Sequence, residues 1–310
     1  MTMIRERQLR SRTSIKELQE TAWRLSRQIL EMTTEAGSGH PSSSLSAIDV
    51  MTALYFSGVM RYYSQEPQWA ERDRFVLSKG HAAPALYAVL AEAGYFDPDM
   101  LSTLRDTDSP LEGHPNMRAL PGVEASTGSL GQGLSIGLGH ALAARLDGLS
   151  YRVYVLIGDG ESDEGQIWEA AMAAAKYQVD NLTAVLDYND FQQTGSVEDV
   201  MPSLAPVSDK WEAFGWNVRE INGHDMRQCV TALQDVARVN DQPQMIIAHT
   251  RKGRGLSPFE KDSVNRKHGE ALDEEELATA LAELDEEKAT VLAGDVEKPE
   301  LTPEDVHGEV

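Results

Sequence analysis

Cysteine is almost absent. The single Cys229 can form no internal disulfide, a usage that fits a reducing cytoplasm. It lies in a helical pattern over 225–240 and reads as a small core residue rather than a nucleophile. Apolar runs of about 18 residues are also missing, so no membrane-spanning helix is expected. The N-terminal MTMIRERQLRSRTSIKEL lacks the apolar core of a signal peptide. Basic residues are few: 28 Lys and Arg against 50 Asp and Glu leave a net charge of −22. That balance argues against a nucleic-acid partner. There is no HExxH and no paired CxxC, so the eight histidines match no zinc pattern. No internal repeat is visible, and no linker divides residues 10–270.

What is present is an alternation of strands and helices. The chain has 310 residues and 41% hydrophobic content, enough for an ordinary globular core. Apolar runs at 152–157 and 181–186 read as buried strands, and 73–78, 217–222 and 244–250 read as further strands. Helical patterns cover 14–36, 45–60, 82–95, 129–147, 166–179 and 225–240, with loops at GSGHPSSS and over 106–128. The 129–147 helix is rich in small residues and can pack close to neighbouring backbone. This alternation predicts an α/β fold, a mostly parallel sheet with helices on both faces. Residues 1–270 are expected to form that domain. Residues 271–310 hold fourteen acids against two lysines, a net −12. Their first half, 273–292, can form an amphipathic helix, and the rest reads as a mobile tail containing His307.

The densest signal is GDGESDEG at 158–165 followed by LDYN at 186–189. Each follows a predicted strand, and a helix lies between. Asp159 and Asn189 are thus expected at the carboxyl ends of two parallel strands, facing one crevice, where open α/β sheets bind ligands. A carboxylate and an amide carbonyl are hard oxygen donors, suited to Mg²⁺ or Ca²⁺. So few protein ligands leave positions that phosphate oxygens usually fill. Five histidines, His40, His81, His114, His224 and His268, sit in glycine-flanked loops, where a ring can reach sugar hydroxyls or phosphate and shuttle protons near pH 7. His140 and His249, on a helix and a strand, read as structural.

GDG, about thirty residues, then Asn after a strand resembles the thiamine-diphosphate motif. With AGSGHPSSSLS, LSKGHAAPALYA, EGHP, TGSLGQGLSIGLGHALA, DYN and NGHD in order, the chain is similar to the N-terminal half of transketolase over roughly 15–270. The resemblance implies a thiamine-diphosphate-binding fold. It implies Mg²⁺ (or Ca²⁺) on Asp159, Asn189 and the carbonyl of Phe191. His81, His268, Gly128, Leu130, Gly158, Gly160 and Glu164 would serve the cofactor site, with the Gly160 N–H on the diphosphate and Glu164 where two subunits meet. Gly158 and Gly160 leave no Cβ in the path of a diphosphate, and the N–H groups opening the helix at 165–167 can favour the anion. His40, His114 and His268 would be catalytic: His40 and His268 move protons at sugar hydroxyls, and His114 binds the first hydroxyls of the ketose.

Full-length transketolase is about twice as long. The resemblance therefore implies one component of a split, cytoplasmic enzyme. It would transfer a two-carbon ketol unit from a ketose (phosphate) to an aldose (phosphate). A pyrimidine-binding partner would supply a missing glutamate, and two of each chain would assemble as α2β2. Glu161 stands where a small residue or Cys is more familiar, and KDSVNRK before His268 keeps little of the pattern. RKGR (251–254) reads as a turn rather than a substrate site. A 2-keto-acid dehydrogenase α chain and a non-catalytic, partner-binding homologue are the alternatives.

Overall fold

The computed structural model describes residues 13–238 and 241–292. Five parallel strands form one sheet: β1 (Arg74–Leu77), β2 (Val153–Gly158), β3 (Leu182–Tyr188), β4 (Asn217–Asn222) and β5 (Gln244–His249). Their spatial order is β1-β2-β3-β5-β4. Parallel neighbours need crossover connections, which helices supply. The longer helices are α1 (Ile15–Glu35), α2 (Pro41–Phe56), α3 (Ala83–Glu92), α4 (Gln132–Leu146), α5 (Gly165–Lys176), α6 (Met226–Val236) and α7 (Glu274–Leu292).

Alternate side chains of each strand enter different cores. Val153, Val155 and Ile157 pack with Leu134 and Leu138 of α4 and Ile167 of α5. Tyr154, Leu156 and Val185 enter the opposite core with α1, α2, α3 and α6. Both faces are therefore covered, which is why the central strands β2, β3 and β5 read as largely apolar runs; the edge strand β4 stays half-exposed. The expected fold class is observed.

The small residues of α4 are sterically required. A Cβ on Gly133 would lie 2.4 Å from Ser78 Cβ, and one on Gly137 would lie 2.4 Å from Val155 Cγ2. The helix thus rests directly on β1 and β2, and its N-terminus reaches the carboxyl edge of the sheet.

Several boundaries differ from the sequence reading. GSGHPSSS is a loop only as far as His40, since α2 begins at Pro41 rather than 45. Proline is favoured at the first helical position because its φ is preset and its missing N–H is not needed there. Ser42, Ser43 and Ser44 are buried in that first turn. The α4 helix begins at Gln132, not 129, because Gly131 turns the chain at φ +83. The α5 and α6 helices end earlier than read, at Lys176 and Val236.

The acidic helix forms as α7 and is fastened to the body. Ala280 and Leu284 are buried, Trp23 Nε1 donates to Glu287 (3.2 Å), and Arg27 pairs with Asp285 (2.7 Å). The remainder of the acidic tail, with His307, lies outside the described residues. Among the described residues no helix is long and apolar enough to cross a membrane.

Candidate active site

The carboxyl ends of the strands supply the site. β2 runs into Asp159 and β3 into Asn189, on adjacent parallel strands, so the two residues meet as predicted. Asp159 is buried. Its Oδ2 accepts the Asn189 N–H (2.9 Å) and its Oδ1 accepts the Gly160 N–H (2.8 Å). Asn189 Nδ2 donates to Asp187 Oδ2 (3.1 Å), and its Oδ1 accepts the Phe191 N–H (3.2 Å). Burial, then the nearby Asp187, push the Asp159 carboxyl up to about 7. An ionised carboxylate here wants a cation. One carboxylate, one amide oxygen and one main-chain carbonyl make a hard, incomplete donor set that fits Mg²⁺ or Ca²⁺ with further ligands from a bound anion. Among the described residues no three His, Cys, Asp or Glu side chains gather to hold a metal instead.

Beside these donors stands a positive wall. Lys252, just after β5, is buried; its Nζ donates to the carbonyls of Phe191 (3.4 Å) and Gln192 (3.2 Å) and meets His268 Nδ1 at 2.8 Å. The rings of His40, His81 and His268 form a triangle with centroids 5.1–5.2 Å apart. Burial, then Arg105, His114, Lys252 and Lys79, lower His40 to about 4. Burial, then Lys252, His40 and Lys79, lower His268 to about 3. His81 is pushed down by burial and by Lys79, His268, His40 and Lys252. Three imidazoles held neutral beside Lys252 and Arg105, neither of which pairs with an Asp or Glu by contact among the described residues, fit an anion, whose charge would oppose these shifts. Among the described residues His40 Nδ1 is buried without a hydrogen-bond partner.

The loops that carry these rings are tightly fitted. A Cβ on Gly128 would lie 3.4 Å from the His114 ring, and one on Gly160 would press Gln192 Cγ at 3.0 Å. At Gly158 a Cβ would make only ordinary contact with Lys79, at 3.7 Å. The Gly160 N–H, which the resemblance assigns to a diphosphate, donates here to Asp159. A short helical turn, Gly160–Asp163, separates GDG from α5, and the Ile167 N–H is already spent on the Glu164 carbonyl (3.1 Å). The anion-favouring amides expected at 165–167 are to that extent engaged elsewhere. Leu130 is half-buried beside Gly131, while Glu164 and His114 are exposed.

Glu161 has a clear purpose. Its Oε1 accepts the Gly131 N–H (2.9 Å) and the Ser78 hydroxyl, and its Oε2 accepts the Gly158 N–H (3.0 Å). One buried carboxylate thus ties the GDG turn to β1 and α4. His224 is not part of the imidazole cluster. Its Nδ1 meets Asp49 at 2.9 Å and its Nε2 accepts the Arg251 N–H (2.9 Å). Asp49 also pairs with Arg254 (3.0 Å), so this histidine belongs to a buried structural network. His249 is likewise structural, 2.6 Å from Glu220.

The sequence reading missed Lys79, Asp187, Lys252 and Arg105. Lys79 and Asp187 form a buried ion pair at the floor of the site. Lys79 also donates to the Ser43 carbonyl (2.9 Å), and Ser46 and Thr250 donate to Asp187. Burial raises Asp187, but Lys79, Ser46 and Thr250 outweigh it and hold the carboxyl below the usual range. Lys79→Met is expected to cost ~3–5 kcal/mol by leaving the carboxylate buried and unpaired. Thermal unfolding checks this, and Lys79→Met/Asp187→Asn should recover most of the loss.

Residues 21–296 match the model of the family described as "Transketolase, thiamine diphosphate binding domain". The chain is 45% identical over 273 residues to 6-deoxy-6-sulfo-D-fructose transketolase subunit SqwG of Clostridium sp. (strain MSTE9), covering 88% of this chain and 98% of that protein. It is 44% identical over 234 residues to one subunit of the apulose-4-phosphate transketolase of Phocaeicola vulgatus, covering 76% and 82%. It is also 44% identical over 244 residues to human transketolase, 78% of this chain but 38% of that protein. Among solved structures, transketolase of Campylobacter jejuni superposes with a TM-score of 0.81 at 32% identity, over 88% of this chain and 43% of that one.

Proposed function

We propose, since the chain belongs to the transketolase family through its thiamine diphosphate-binding domain, that it is the cofactor-binding subunit of a two-component transketolase. The observation that carries this reading is the Asp159–Asn189 pair at neighbouring strand tips, set against Lys252 and three imidazoles. Asp159, Asn189 and the Phe191 carbonyl would hold Mg²⁺ or Ca²⁺. His81, His268, Lys252, Gly128, Leu130, Gly158 and Gly160 would hold thiamine diphosphate. When bound, that group supplies the carbon nucleophile, and the protein supplies position and electrostatics.

The chain's own residues do the rest. Lys252 would neutralise part of the diphosphate charge, and the neutral His81 ring would donate a hydrogen bond to it. Seating an anion there raises the depressed pKa values of His40 and His268 towards neutrality, where an imidazole exchanges protons with sugar hydroxyls most effectively. His114, exposed, meets the hydroxyls of the ketose. Glu164, also exposed, would face the partner protein.

The relatives named as subunits match this chain over most of their length, which supports a partner subunit; a pyrimidine-binding partner and an α2β2 assembly with it are proposed on the family resemblance. Their names carry a sulfonated and a phosphorylated sugar, which supports a ketose with a terminal oxyanion as substrate. The complex of both proteins, given ketose and aldose, should lengthen the aldose by two carbons and leave 2-keto acids untouched. Preferential use of a 2-keto acid would move the chain to the dehydrogenase class.

A further inference from the structure

We propose that Arg105 reads the terminal oxyanion of the sugar from this chain's side of the crevice. The inference rests on the transketolase reading above and deepens it by naming a specificity-determining residue.

The loop is built to present this side chain. Arg105 sits at φ +64, a conformation that side-chain-bearing residues seldom adopt. Its N–H donates to the Leu111 carbonyl (2.9 Å), closing the 105–111 loop. The guanidinium lies over Gly113, where an added Cβ would fall 2.8 Å from Nη2 and 2.9 Å from Cζ. Its Nη1 donates to Ser38 Oγ at 2.9 Å. One fork therefore bridges the SGHP loop, which carries His40, and the EGHP loop, which carries His114. Its charge is felt at both rings, lowering each after burial.

Among the described residues the charge has no acidic partner. Lys79 faces Asp187 and Arg254 faces Asp49. Among the described residues no Asp or Glu pairs with Arg105. The nearby Glu112 accepts from Asn116 Nδ2 (2.9 Å) instead. Among the described residues only one of the five guanidinium N–H donors is engaged, and the planar fork matches two oxygens of a phosphate or sulfonate. A protein of net charge −22 repels an anionic sugar at long range, so a local cation beside the substrate-facing histidines has a purpose a neutral substrate would not require.

The test is steady-state kinetics of the reconstituted two-protein complex. The donors are fructose 6-phosphate, 6-deoxy-6-sulfofructose and fructose, used with wild type, Arg105→Gln, Arg105→Lys and Gly113→Ala. The ratio of kcat/KM for the anionic donors over fructose should fall ~10–100-fold in Arg105→Gln, mainly through KM. Arg105→Lys should recover part of that ratio. Gly113→Ala, which keeps the charge but displaces the fork, should lower it too. The two anionic donors tell whether phosphate or sulfonate is preferred. An equal loss on all three donors would overturn the inference alone. So would an unchanged ratio with weakened binding of the partner protein, which would assign Arg105 to the inter-subunit contact. A wild-type complex inert with every donor would overturn the transferase reading, and the inference with it.

Discussion

Supplied with thiamine diphosphate and Mg²⁺ but no partner, the purified chain is expected to turn over ketose at least ~10²-fold more slowly than its complex with a pyrimidine-binding protein. The physical reason is the character of the crevice. Its described side chains supply oxygen donors for a metal, cations for a diphosphate, and neutral imidazoles. At the strand tips Asp159 is buried and committed to two main-chain N–H groups and to the metal position. Glu161 is locked by three donors. Neither can act as the acid–base group that the family assigns to a glutamate of the facing domain, and general acid–base help of that kind contributes ~10²–10⁴-fold. Titrating the purified partner into this chain should restore activity, saturating at equal stoichiometry. Substantial turnover by the chain alone would reject the division of labour.

The fold was legible largely because β2, β3 and β5 are buried on both faces and therefore read as largely apolar runs; the edge strand β4 is half-exposed and mixes polar with apolar residues. Asp159 and Asn189 were legible for the same reason: each follows such a run, and parallel strands bring their tips together. Helix starts were less so. Pro41 reads as a loop residue from its neighbours, although it marks the first turn of α2.

The missed residues share a feature, in that their partners are remote in sequence. Lys79 and Asp187 are 108 residues apart. One signal was present. A charge inside NLTAVLDY, a strand apolar on both faces, requires a buried partner. Lys252 reaches Phe191 and His268 only because the RKGR turn folds back, with Gly253 and Arg254 at positive φ. For Arg105 nothing local announces a left-handed backbone. Glu161 stands out in sequence as an unfamiliar residue in the motif. Its purpose becomes plain only when α4 and β1 are seen to converge on its carboxylate.

Replacing Asp159 by alanine is expected to weaken Mg²⁺-dependent retention of thiamine diphosphate by more than ~10²-fold. Loss of an outer-shell partner commonly costs ~10–100-fold, and a direct charged ligand should exceed that. The variant should fold. Asp159 surrenders two accepted hydrogen bonds, but its removal also relieves a buried carboxylate that burial and Asp187 push up to about 7, and these effects oppose each other. Calorimetric titration of the assembled complex, and the rise in unfolding temperature on adding Mg²⁺ and thiamine diphosphate together, give two readouts independent of turnover. Ligand at about 100 times its Kd stabilises by ~2.7 kcal/mol, so the wild type should show a clear shift and Asp159→Ala almost none. Asp159→Asn separates geometry from charge: it keeps an acceptor for one main-chain N–H yet should bind nearly as poorly as alanine if the carboxylate is the metal ligand. A folded Asp159→Ala protein that holds the cofactor as tightly as wild type would refute the metal assignment, and with it the role given to Asn189 and the Phe191 carbonyl.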